Sequence, residues 1–145
     1  MPMNRQEQLE CILDHFERPR FRERLHEAPI VMQGHNPSCG DRVSVFVVLD
    51  DANQRLARMT WEGEGCTISQ AAASLLAELV QGKRVDEVLA MDSRDFAAWF
   101  GEDVVSARLR CVMLPLYTLR LALRTSLNKE TEADETDWAQ FRQER

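Results

Sequence analysis

The sequence predicts an α+β domain: a small antiparallel three-stranded sheet with helices packed on one face. Two observations carry this. The stretch "RVSVFVVLD", the turn "DDANQR" and the stretch "RLARMTWEG" form a β-branched, alternating hairpin early in the chain. Everything after it is periodic in the helical sense, rich in alanine and leucine and punctuated by glycine.

Each element follows from its residues. Leu9, Ile12, Leu13 and Phe16 recur at helical spacing between Arg5 and Phe16, and Pro19 closes that helix. Cys11 falls in it as a small core or boundary residue. "APIVMQG" is the weakest strand candidate and completes the sheet. "TISQAAASLLAELVQGK" predicts a helix opening at Thr67 and Ser69, with Gly82 just past its end. "RVDEVLAM" and "SRDFAAWFG" predict two short helices. "CVMLPLYTLRLALRTSL" predicts a last amphipathic helix, with Pro115 near its first turn, where a missing N–H costs little.

With 145 residues, 44% hydrophobic and 29% charged, the chain fits one soluble domain with a substantial core. No stretch has the roughly 20 apolar residues of a membrane span. The opening "MPMNRQEQLECILDHF" has no apolar signal core, so a cytoplasmic location is expected. The formal net charge of −6 argues against nucleic acid as a partner. Residues 1–127 are expected to form the domain. Residues 128–145 are expected to be an acidic, mobile tail, with Trp138 and Phe141 as anchors if it docks on the body or on a partner.

Four cysteines in such a chain suggest metal or redox chemistry more than a disulfide framework. No CxxC pair occurs, so a joint site needs the fold to assemble it. Cys39 lies in the turn chemistry of "NPSCGD", Cys66 between "GEG" and a helix, and Cys111 at the start of the final helix. A helix N-terminus lowers a thiol's pKa, so thiolate near neutral pH is expected at Cys66 and Cys111. With Asp41, the three sulfurs make a donor set for tetrahedral zinc or for an iron–sulfur cluster. Three thiolates, a carboxylate and a dication sum to about −2. Arg108 and Arg110 stand near Cys111 to offset that charge. His35 is a further candidate ligand, and His15 and His26 are weaker ones. The alternative is three unrelated buried thiols.

"HNPSCGDRV", "WEGEGCTISQAAASLLAELVQGK" and "ARLRCVMLPLYTLRLAL" resemble the three cysteine blocks of the IscU/SufU family, also seen as the N-terminal domain of NifU. "ILDHFERPR" resembles that family's first helix. The resemblance implies that Cys39, Asp41, Cys66 and Cys111 meet at one exposed end. It implies that they hold Zn2+ or a nascent 2Fe–2S cluster, and that persulfide sulfur comes from a PLP-dependent cysteine desulfurase. Cys111 is the expected persulfide acceptor, with Arg108 and Arg110 in support. Cluster delivery to iron–sulfur acceptor proteins, and a monomer or weak dimer, are implied as well. Three functions stay open: a cluster assembly scaffold, a zinc-dependent sulfurtransferase, and a zinc-stabilised binding module. IscU-type chains have a histidine before the third cysteine, where Arg110 stands here, and a chaperone-binding "LPPVK" where "EDVVSARLR" stands. SufU-type chains have an insertion for which the 45-residue step from Cys66 to Cys111 leaves no room.

Overall fold

A computed structural model describes residues 3–127 and 138–144. Helix α1 (Arg5–Glu17) opens on a capping box: the Asn4 side chain takes the Glu7 N–H, and the Glu7 side chain takes the Asn4 N–H. Strands β1 (Ile30–Asn36), β2 (Asp41–Leu49) and β3 (Leu56–Glu64) follow, then α2 (Thr67–Val80), α3 (Val85–Leu89), α4 (Ser93–Ala98), α5 (Glu102–Ser126) and β4 (Gln140–Glu144). The sheet order is β3-β2-β1-β4, antiparallel throughout. Helices α2 and α5 lie on one face of it, and α1 packs on α2.

The core follows the alternation of the strands. Val43, Val45 and Val47 of β2 point inward with Met59 and Trp61 of β3 and meet the apolar faces of α2 and α5. The all-alanine stretch Ala71, Ala72 and Ala73 lets α2 approach closely because it has nothing large to accommodate. Gly34 does the same for β1: a Cβ there would overlap Thr118 Oγ1 of α5. Gly82, with φ +75°, ends α2 as expected.

Three expectations are corrected. The sheet has a fourth strand, β4, drawn from the segment expected to be a mobile tail. Its partner is the β1 edge, whose open backbone donors and acceptors it satisfies, from Val31 opposite Glu144 to His35 opposite Gln140. The rest of that tail, residues 128–137 and 145, lies outside the described residues. Second, α1 buries Ile12 and His15, while Leu9, Leu13 and Phe16 remain exposed. The helix is rotated because His15 finds a polar partner inside, the Ser74 hydroxyl at 2.8 Å. The last helix stands close to where it is expected: α5 is two helical segments joined at a kink where the backbone leaves helical angles at Arg108 (φ −136°, ψ 34°), so the second segment begins just before Cys111 and "EDVVSARLR" spans the first segment and the kink. Third, Pro115 sits beyond the first turn of the segment after Arg108, where the Cys111 carbonyl lacks the usual i+4 N–H donor.

Candidate metal centre

Each of the predicted residues is placed by a local feature of the chain. Asn36 ends β1 and Asp41 begins β2, the two being direct partners in the ladder. The four residues between them form the hairpin turn. The Asn36 carbonyl accepts the N–H groups of Cys39 (3.3 Å) and Gly40 (2.9 Å). The Asn36 side chain accepts the Ser38 N–H and hydroxyl, both at 3.1 Å. Gly40, at φ +73°, supplies the left-handed step that turns the chain. The result is an exposed Cys39 and a fully buried Asp41 two residues later.

Cys66 is itself the N-cap of α2. Its sulfur accepts the Ser69 N–H at 3.5 Å, and the Ser69 hydroxyl donates to the Cys66 carbonyl at 3.0 Å. Asp41 Oδ1 accepts the Cys66 N–H at 2.9 Å, and the Cys66 thiol points at Asp41 Oδ2 from 3.8 Å. Gly65, between the β3 end and this cap, has φ +138°, and a Cβ there would overlap the Asp41 carboxylate. The glycine of "GEGC" thus leaves room for Asp41 and Cys66 to approach each other.

Ligand atoms of Cys39, Asp41 and Cys111 lie within 4.8 Å of one another. Tetrahedral zinc, about 2.3 Å from each sulfur, separates two thiolates by roughly 3.8 Å. The spacing of these atoms is thus compatible with a metal shell after small side-chain adjustments. Cys66 stands outside that triple but touches its carboxylate, as described above. Asp41 has no Lys or Arg ion-pair partner among the described residues, and burying a carboxylate without a counter-charge is unfavourable by several kcal/mol. Two thiols, a third within reach and a buried unpaired carboxylate make a donor set that fits zinc or iron.

The electrostatic expectation for Cys111 is reversed. Its thiol is only 1% exposed, and burial pushes its pKa above the ordinary range. Hydrogen bonds to Asp41 and Cys66, and the charges of both, push the same way. The helical segment that follows the kink at Arg108 starts just before Cys111, and burial outweighs the pull of its N-terminal end. Cys11 is half-buried beside His15, Ala71 and Leu75, far in role from the other three, and burial raises its thiol first of all.

His35 faces out of β1 opposite Arg42 and Gln140 and does not join the ligand group; neither do His15 and His26. Arg110 does not point at the ligands. Its guanidinium donates to Ser38 Oγ at 3.0 Å and lies over the Trp138 ring, 5.6 Å from its centre. Arg108 is exposed at the bend of α5. Ser38, Asn36 and Trp138 are thus parts of the site's surroundings that motif reading passed over. The "NPS" spelling held the signal for the first two, because an asparagine that accepts from residue i+2 is a common turn initiator.

Known proteins resemble this chain in sequence and in fold. The model of the NifU-like N-terminal domain matches residues 7–133. The chain is 35% identical over 105 residues to the iron–sulfur cluster assembly scaffold protein IscU of Thermotoga maritima, covering 72% of each. It is 32% identical over 122 residues to the zinc-dependent sulfurtransferase SufU of Bacillus subtilis, covering 72% of this chain and 81% of that one. Among solved structures, a SufU-type protein from Fervidobacterium islandicum AW-1 superposes with a TM-score of 0.65 at 26% identity, covering 79% of this chain and 94% of the other. The N-terminal part of a NifU-like protein from Brucella abortus gives 0.71 at 21% identity, covering 88% and 100%, and so shares the fold. A chain matched across most of its length, with its three cysteine blocks drawn to one end of the fold, belongs to the family of NifU-like N-terminal domains.

Proposed function

We propose that this protein is an iron–sulfur cluster assembly protein, which accepts persulfide sulfur from a PLP-dependent cysteine desulfurase and binds metal through Cys39, Asp41, Cys66 and Cys111. The observation that carries the reading is the Cys39–Asp41–Cys111 group with buried Asp41 at its centre. Relatives named as an assembly scaffold and as a zinc-dependent sulfurtransferase support it from two sides. Bound there, a dication would hold the thiols as thiolates, against the burial that keeps Cys111 protonated.

Sulfur transfer is a thiol–disulfide-type exchange. A thiolate of this chain attacks the outer sulfur of the desulfurase persulfide, a new S–S bond forms, and the old one breaks. The desulfurase leaves as thiolate, and the terminal sulfur keeps its proton. Cys111, the expected acceptor, is nearly inaccessible, so attack from it requires the bend at Arg108 to open. The exposure of Cys39 favours a second reading, in which Cys39 receives the sulfur and Cys111 remains a ligand.

Anaerobic native mass spectrometry tests the proposal, before and after incubation with cysteine, ferrous iron and a desulfurase. Loss of zinc with gain of two irons and two sulfides is the scaffold outcome. Retained zinc with one extra sulfur, mapped to Cys111 or Cys39, is the sulfur-carrier outcome. Retained zinc with no added sulfur leaves only a zinc-stabilised binding module and overturns the proposal.

A further inference from the structure

The exposed Cys39 turn is bonded to itself through Asn36, and among the described residues it is tied to the helix that carries Cys111 by a hydrogen bond from Arg110 to Ser38 Oγ. Arg110 precedes Cys111, and Ser38 precedes Cys39, so this bond fixes the spacing of the two thiols. An exposed arginine has many rotamers, and holding one of them needs a second contact. Trp138 provides it. The β4 register begins with Gln140 opposite His35, and Trp138 stands two residues before it. The indole is braced by the Tyr117 ring at 6.1 Å, Ala139 beside it is buried, and its face meets the Arg110 guanidinium.

We propose that Trp138 is a positioning residue of the metal centre, acting through Arg110 and Ser38 to hold Cys39 at its distance from Cys111. The inference rests on the metal-binding reading above, and it assigns a purpose to the C-terminal segment. Strand β4 then serves as the mount of the indole, and the aromatic face matters more than the bulk, because a cation lies against it.

The test uses the full chain and the variants Trp138→Phe, Trp138→Leu and Ser38→Ala, with the Trp138→Leu/Ser38→Ala double variant. Two quantities are measured. One is the rate of zinc loss to a chelator. The other, on metal-free protein, is amide hydrogen exchange at Cys39 and Gly40. Loss of one exposed cation–π contact corresponds to roughly a two- to fivefold effect. Trp138→Leu is therefore expected to lose zinc and exchange those amides about two- to fivefold faster. Trp138→Phe is expected to stay near wild type, and the double variant to match Trp138→Leu, since both changes break one chain of contacts.

Wild-type values for Trp138→Leu in both measurements overturn the inference. So does a Trp138→Phe variant as impaired as Trp138→Leu, or a double variant whose effects simply add. Should Trp138→Leu detach β4 altogether, Ser38→Ala with the tail in place decides the matter alone. A wild-type chain that holds no zinc counts against the metal reading instead, and the exchange measurement then decides whether Trp138 positions the turn.

Discussion

The Cys66 N–H donates to Asp41 Oδ1 at 2.9 Å, and the residue before Cys66 is a glycine whose missing Cβ leaves room for that carboxylate. This contact joins the start of β2 to the start of α2 and aims the second carboxylate oxygen toward the thiols. Gly65 therefore has two reasons to be glycine, its φ of +138° and its neighbour. Gly65→Ala is expected to destabilise the metal-free protein by roughly 1–3 kcal/mol and to weaken zinc retention as well, read from urea midpoints and chelator competition. Unchanged values in both would mean that the contact is incidental.

Gly34 makes a comparable demand far from the ligands. It lies under Thr118, whose hydroxyl donates to the Leu114 carbonyl at 2.7 Å in the turn of α5 that follows Cys111. Gly34→Ala is expected to push β1 from α5 and cost about 1–3 kcal/mol of stability. Because β1 runs into the Cys39 turn, zinc affinity should fall with it, whereas Gly82→Ala, with open space around its Cβ position, should act only through its φ of +75°. Calorimetric melting of both variants provides the comparison.

His15 gives the fold a pH dependence. Its Nδ1 lies 2.8 Å from the Ser74 hydroxyl, which also accepts the Arg20 N–H, and its Nε2 faces Glu78 at 3.7 Å. Burial first, then Arg20, lowers its pKa below 6.5, against the opposing pull of Glu78 and Asp14. The unfolded chain thus takes up its proton near pH 6.5, while the folded chain does so only at lower pH. Between those points the unfolded state holds more protons, so stability is complete above about pH 6.5 and declines as pH falls toward the folded value. Urea midpoints from pH 7.5 to 5 should decline in the wild type, and less steeply in His15→Gln.

Metal uptake should release protons. The Cys111 thiol is held protonated by burial and by its neighbours Asp41 and Cys66, and a thiol must lose its proton to ligate. Zinc affinity is expected to rise from pH 6 to pH 8. Titration calorimetry at one pH in two buffers of different ionisation enthalpy should report at least one proton released, and Cys111→Ser should release fewer. Buffer-independent heats would contradict the assignment of Cys111 as a ligand.

Much of this was legible in the residues. The hairpin, α2 with its terminal Gly82, and the short helices α3 and α4 all announce themselves through alternation, periodicity and punctuation. The proximity of Cys39, Asp41 and Cys111 was legible through turn chemistry, since a cysteine placed between proline and glycine beside an aspartate is a poor candidate for core filling. What escaped depends on tertiary partners. The apolar stripe Leu9, Leu13 and Phe16 predicts the wrong buried face of α1, because a histidine with a buried serine partner displaces it. Cys111 does stand just after the kink at Arg108, at the start of a helical segment, yet it is buried rather than presented as an open thiol. Strand β4 could not be read from "QFRQE", whose pairing is dictated by the free edge of β1 rather than by its own propensity.

The central claim is that four residues, and not only the three that already cluster, form one metal shell. Zinc-edge X-ray absorption of the loaded protein measures it directly. The account predicts three sulfurs near 2.3 Å and one oxygen near 2.0–2.2 Å, with one sulfur lost in Cys66→Ser and the oxygen shell altered in Asp41→Ala. A shell of two sulfurs that Cys66→Ser leaves untouched would contradict it.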